Sequence, residues 1–325
     1  MMTKVNEASN EKVAKRESLN GVEANGSEIN SSGIKKPEVF PFYDGPTNTF
    51  SYIVKDPNSN ACAIIDSVLD FDYASGVIGY TGAQRIIECV KIKGLTVVLH
   101  IETHVHADHL SAAPYLQSVL GGKIGIGKHI VTVQNEFGRL FNEGTEFQRN
   151  GSQFDILFDD NQEYSIGGLT GVALHTPGHT PACMTHVVGD AAFVGDTLFM
   201  PDGGTARADF PGGDARTLYR SIQRVLNLPP HTCLYMCHDY QPNGRELEYV
   251  STVEQQVQSN IHVNTNITED TFVSVREARD KTLNMPRLIF PALQVNMRAG
   301  HFPPVEENEM VYLKVPITGL KAPLI

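Results

Sequence analysis

Seven residues able to bind a metal ion stand where buried strands should run out. Thr103-His-Val-His-Ala-Asp-His109 supplies four of them in close succession: His104, His106, Asp108 and His109. His179 follows in His175-Thr-Pro-Gly-His179, Asp196 in Phe193-Val-Gly-Asp196, and His238 in Tyr235-Met-Cys-His-Asp-Tyr240. Imidazoles mixed with carboxylates suit zinc or iron, whereas magnesium and calcium prefer oxygen alone. Taken singly, a histidine is more often a packed core or surface residue than a ligand. His100, His129, His186, His231, His262 and His301 are read that way, and His175 as a packing neighbour of His179. The HxHxDH spacing, followed in order by three more ligand types, reads as a metal site.

The elements that must position these residues follow from pattern. Phe50–Val54 and Ala61–Ile65 read as paired strands around the turn Pro57–Asn60. Gly82–Lys93 reads as a helix with Ile86, Ile87 and Val90 on one face. Leu95–Ile101 barely alternates, so a strand covered on both faces is expected to end in the HxHxDH loop. Ser111–Leu120 reads as a helix stopped by Gly121-Gly122. The glycines of residues 121–127 follow that helix rather than a strand, so they read as a turn into a short strand and not as a phosphate loop. Leu169–His175 reads as a strand ending near His179. Met184–Val188 and Ala191–Val194 read as a hairpin around Gly189-Asp190. Arg216–Leu226 reads as an amphipathic helix with Leu218, Ile222, Val225 and Leu226 inward, and Thr232–Cys237 as a short buried strand. Four strand ends therefore deliver the ligands to one edge of the sheets, the usual place for an α/β site.

Composition narrows the partners. The 325 residues carry a formal charge of −11 with no sustained Lys/Arg run, which suits neither a nucleic-acid backbone nor an anionic membrane. A small-molecule ligand is expected. No apolar run approaches the roughly 20 residues of a membrane span. Five cysteines without a CxxC pair read as free thiols in a reducing compartment, the cytoplasm before the mitochondrial matrix. Residues 1–36 are polar and free of aromatics, so a disordered tail is expected there, with one catalytic domain and a C-terminal extension over residues 37–325.

The ligand series, with Glu102-Thr-His-Val-His-Ala-Asp-His-Leu-Ser-Ala-Ala113, Ala206-Arg-Ala-Asp-Phe210 and Pro291-Ala-Leu-Gln-Val-Asn-Met-Arg-Ala-Gly300, resembles the metallo-β-lactamase superfamily. Within it the chain resembles the persulfide dioxygenases, with the bacterial β-lactamase hydrolase-like branch nearest. The resemblance implies an α/β fold, an αββα sandwich of two mixed β-sheets with outer helices. It further implies one Fe(2+) per chain held by His104, His179 and Asp196, with His106, Asp108, His109 and His238 around them. Glutathione persulfide and O2 would be the substrates, sulfite and glutathione the products. Arg207 and Tyr240, then Asn296 and Arg298, would bind substrate. A homodimer is implied as well. With no rhodanese-like segment in the chain, a separate rhodanese-type sulfur-transfer protein is expected.

The same seven ligands suit a second reading. Two Zn(2+) ions, one on His104, His106 and His179 and the other on Asp108, His109 and His238, with Asp196 between them, would serve a hydroxyacylglutathione hydrolase. Three local readings complete the picture. Asp66-Ser67 replaces the Asp-Pro of many relatives and reads as a surface turn away from the metal. Asp209 reads as a turn cap rather than an ion-pair partner of Arg207. Pro201–Thr205 is a candidate pocket wall, and Asp239 a structural partner of a neighbouring loop.

Overall fold

The computed structural model describes residues 36–319. The chain opens with β1 (Glu38–Asp44), β2 (Thr49–Lys55) and β3 (Ala61–Ile65), an antiparallel meander. A short hairpin follows, β4 (Val68–Asp72) and β5 (Val77–Gly79). Helix α1 (Thr81–Ile92) buries Ile86, Ile87 and Val90 and leads to β6 (Thr96–Ile101), which lies parallel to β3. After the ligand loop, β7 (Leu110–Ser111) pairs with β4 and α2 (Ala113–Leu120) runs to β8 (Lys123–Gly127), parallel to β6. The predicted helix from Ser111 therefore starts later, because Leu110 and Ser111 are claimed by pairing with Leu69 and Val68. Helix α3 (Ile130–Leu140) and β9 (Ile156–Phe158) complete a six-stranded sheet of order β1-β2-β3-β6-β8-β9.

The second half builds the facing sheet. β10 (Gln162–Ile166), β11 (Leu169–His175), β12 (Met184–Val188) and β13 (Ala191–Phe193) are antiparallel neighbours. Helix α4 (Ala215–Leu226), capped by the Asp214 carboxylate on the Thr217 amide, crosses to β14 (Cys233–Tyr235), parallel to β13. Leu218, Ile222 and Val225 of α4 are buried, while Leu226 is half-buried. β15 (Val250–Thr252) closes the sheet, and α5 (Val253–Ser259), α6 (Glu269–Asp280) and α7 (Ile289–Asn296) follow. Helix α7 is buried over nearly all its length, as expected of a helix that is apolar on most sides.

Three of the apolar clusters define the layers. Phe50, Tyr52, Ile65, Ile101 and Phe158 of the first sheet meet Ile166, Met184 and Phe193 of the second between the sheets. Ile86, Val90 and Leu116 pack α1 and α2 on one outer face, and Leu218, Ile222 and Phe272 pack α4 and α6 on the other. The result is the expected αββα sandwich. The predicted tail lies outside the described residues except for Lys36. Among the described residues no helix is long and apolar enough to cross a membrane, and all five cysteines are free.

His186 of β12 sits in the inter-sheet core, its ring packed edge-on against Phe158, its Nδ1 3.2 Å from the Tyr164 hydroxyl and its Nε2 unpartnered. Burial pushes its pKa down to about 4. An unfolded histidine titrates near 6.5. Between these values the unfolded chain binds the extra proton, so stability is lost as pH falls from about 6.5 to about 4. At about 1.4 kcal/mol per pH unit the loss is about 3 kcal/mol. Urea unfolding of wild type and His186→Phe at pH 7 and 4.5 should show a shallower pH dependence in the variant; equal slopes would refute the assignment.

Candidate metal centre

The loop after β6 is set from beneath. Asp66, at the end of β3, accepts from the Thr103 amide and hydroxyl (both 2.8 Å), and its Oδ1 lies 3.1 Å from His106 Nε2. Glu102 Oε2 lies 3.2 Å from the same nitrogen, while Glu102 Oε1 accepts from the Ser111 hydroxyl. Asp66-Ser67 is thus no surface turn. Both residues are buried, and Asp66 lies directly under the ligand loop. Two glycines shape the other approaches. Gly178 has φ +134, and a Cβ there would fall 2.3 Å from the Leu218 backbone; Gly195 has φ +51, and a Cβ there would meet the Thr103 hydroxyl at 2.6 Å. His179 and Asp196 follow these turns.

Each of the five histidines is held by one ring nitrogen. His104 Nδ1 is 3.0 Å from Thr103 Oγ1, His109 Nδ1 is 3.1 Å from the Leu110 carbonyl, and His179 Nδ1 is 2.7 Å from the Arg207 carbonyl. His106 is held at Nε2, and His238 Nδ1 lies between Thr49 Oγ1 (3.3 Å) and the Asn48 carbonyl (3.2 Å). The opposite atoms are left over. His104 Nε2, His106 Nδ1, His109 Nε2, His238 Nε2, Asp108 Oδ2 and Asp196 Oδ1 are all buried without a hydrogen-bond partner. Buried polar atoms are ordinarily satisfied, so a convergent set of orphans fits a cation.

The seven residues come together. Ligand atoms of His104, His179 and Asp196 lie within 4.8 Å of one another, as do those of His106, Asp108 and His109. His238 Nε2 bridges the two groups, 3.3 Å from Asp196 Oδ1 and 3.4 Å from Asp108 Oδ2. Burial, then the neighbouring His106, pushes His109 down to about 4, and the same causes hold His104 well below its ordinary value. Both stay neutral near pH 7, the form a metal requires. Burial alone would raise Asp196; His238, then His104 and His179, outweigh it and keep the carboxylate ionised.

Above this floor opens a cavity of about 420 Å³ whose lining includes Asp108, His179, Asp196, Phe199, Arg207 and Tyr240. Tyr240 is 57% exposed and lies nearly parallel to the His238 ring. Arg207 reaches the cavity, but Nε and Nη2 donate to the Asp209 carboxylate and Nη1 to the Asn284 carbonyl. Asp209 is therefore an ion-pair partner and not a mere turn cap. Gly203 and Thr205 place the Pro201–Thr205 loop in the wall, and Asp239 pairs with Arg245 as expected of a loop tie.

Asn296 and Arg298 do not reach the cavity. Asn296 is buried, donates to the carbonyls of His106 and His109, and accepts from the Ser111 amide, so it clamps the ligand loop from the side of α7. Arg298 pairs with Glu143 at 2.7 Å and covers the Phe147 ring. Their motif was legible, but not which face of the ligand loop it serves. His175 stacks on His129 and is a packing residue.

Comparison with known proteins agrees with this architecture. Residues 44–238 match the family model described as the metallo-beta-lactamase superfamily. The chain is 55% identical to a probable metallo-hydrolase of Burkholderia pseudomallei, over 86% of this chain and 98% of the relative. A beta-lactamase hydrolase-like protein of Xylella fastidiosa is 48% identical over 90% and 68%, and Glyoxylase B2 of Dictyostelium discoideum 42% over 89% and 99%. The mitochondrial persulfide dioxygenase of Homo sapiens is 31% identical over 78% and 84%. A crystal structure of ETHE1 from Myxococcus xanthus superposes with TM-score 0.65 at 26% identity, covering 81% of this chain and 99% of that one. The chain belongs to the metallo-β-lactamase superfamily. Its buried His/Asp groups make it a metal-dependent enzyme of that superfamily.

Proposed function

We propose that the protein is an iron(II)-dependent persulfide dioxygenase, converting glutathione persulfide, O2 and water to sulfite and glutathione. The observation that carries this reading is the group His104, His179 and Asp196, two imidazoles and one carboxylate gathered at the floor of an open cavity. Such a facial set would hold ferrous iron with positions free, and the iron would supply activation of dioxygen. The 31% identity to the human persulfide dioxygenase supports it. In this reading His106, Asp108, His109 and His238 orient those ligands and tune the site. Phe199, Phe210 and Leu288 give the cavity an apolar stretch of wall that would suit the persulfide sulfur. Arg207 shapes the wall, with Asp209 and Asn284 holding its guanidinium in place. The sulfane sulfur would come from a separate rhodanese-type protein, in the reducing cytoplasm, with the chain acting as a homodimer.

A second reading has its own support. His106, Asp108 and His109 form another group beside the first, and the more similar relatives bear the names metallo-hydrolase and Glyoxylase B2. That arrangement suits two zinc ions and hydrolysis of a glutathione thioester. One preparation separates the readings. Protein purified without added metal should carry about one iron per chain and take up oxygen when given glutathione persulfide. About two zinc ions per chain, with thioester hydrolysis and no oxygen uptake after ferrous loading, would overturn the dioxygenase in favour of the hydrolase.

A further inference from the structure

The cavity over the metal group holds more positive charge than Arg207 brings, since Arg276, Arg279 and Arg287 line it too. Arg276 is spent within the protein, on the Asp280 carboxylate at 2.6 Å and the Thr205 carbonyl at 3.0 Å. Arg207 is largely spent on Asp209 and Asn284. Arg279 and Arg287 are different. Both are exposed, and among the described residues neither guanidinium makes an ion pair or hydrogen bond; Arg287 acts on the exposed Asp72 only through its charge.

Helix electrostatics account for one of the two at most. Arg279 lies in the last turn of α6, where a cation favours the helix. Arg287 lies just ahead of α7, at the end where a cation opposes the helix dipole. The segment carrying both is fastened to the site. Asp280 Oδ2 accepts from the Ala208 amide at 2.9 Å, and the Asn284 carbonyl accepts from Arg207 Nη1 at 2.8 Å. The Arg207 carbonyl in turn holds His179.

We infer that Arg279 and Arg287 are specificity-determining residues, together recognising the two carboxylates of a small peptidic thiol derivative whose sulfur lies over His179 and Asp196. Guanidinium–carboxylate recognition needs N–H groups that are not already committed, and these two side chains offer them. The inference rests on the proposed function for its substrate class, glutathione, and not for the chemistry done on the sulfur.

The probe is S-methylglutathione, which neither reading consumes, titrated calorimetrically into metal-loaded protein. Arg279→Gln and Arg287→Gln should each weaken binding about tenfold, the size of one charge-assisted contact. The diethyl ester of the probe should bind wild type as weakly as the Arg279→Gln/Arg287→Gln double variant binds the acid, with no further loss on substitution. In turnover the variants should raise KM and keep kcat. Wild-type protein that ignores the probe, or variants that bind it within twofold of wild type, would overturn the inference. Oxygen uptake with an unchanged KM in the double variant would sink it while sparing the dioxygenase. Charge-dependent binding without oxygen uptake would sink the dioxygenase and spare the inference.

Discussion

Asp196→Asn is expected to abolish metal retention and to lower oxygen uptake on glutathione persulfide by on the order of 10³ or more. The substitution keeps the shape of the side chain and removes its charge. Asp196 Oδ2 is 3.5 Å from His179 Nε2 and 3.8 Å from His104 Nε2, and Oδ1 is 3.3 Å from His238 Nε2. It is thus a carboxylate within 4 Å of three imidazoles, and the anion in the group formed with His104 and His179. Replacing it by an amide leaves that group with no negative charge to offset a divalent cation. A bound metal contributes several kcal/mol to transition-state stabilisation, and each 1.4 kcal/mol is tenfold in rate, which gives the expected loss. Metal analysis and oxygen uptake on the same preparation check it, with circular dichroism to verify the fold. A variant that keeps its metal and its rate would remove Asp196 from the ligand set.

Legibility in the sequence followed the range of the interactions. The hairpin at Gly189-Asp190, the strand Leu169–His175 and the inward face of Arg216–Leu226 depend on neighbours close along the chain, and all three form as expected. The seven metal-site residues were legible because their types and order carry the chemistry, whichever way the loops turn. What escaped depends on distant partners. Asp66-Ser67 has the look of a turn, yet Asp66 is engaged by Thr103, 37 residues on, and lies 3.7 Å from the Cys237 thiol, 171 residues on. Asn296 and Arg298 stand in a recognisable motif, but only the fold shows that α7 backs the ligand loop rather than the cavity. Arg279 and Arg287 carry no local pattern at all. Their meaning comes from the way Asn284 and Asp280 tie their segment to Arg207 and Ala208.

Asp66 carries the largest effect among residues that do not join the metal groups around Asp196 and Asp108. It is 3% exposed, has φ +50, and gives both carboxylate oxygens to the ligand loop. Asp66→Ala would strand the Thr103 amide, leave the Thr103 hydroxyl with only His104 Nδ1, and leave His106 Nε2 with Glu102 alone. Breaking a buried charged pair in this way costs about 3–5 kcal/mol, and losing the anchor of a metal-site histidine costs about 10–100-fold in metal affinity. Asp66→Asn separates charge from shape. Burial would raise the Asp66 pKa, but His106 outweighs it and draws the carboxyl down to about 2. In the unfolded chain the group titrates near 3.9. Its ionic contribution, about 2–3 kcal/mol, is therefore complete above about pH 4 and disappears as pH falls toward 2. Wild type should exceed Asp66→Asn in unfolding free energy at pH 5 to 7, and the gap should close between pH 4 and 2. A gap that stays constant to pH 2 would mean that Asp66 works through its shape alone, and His106 would need another anchor.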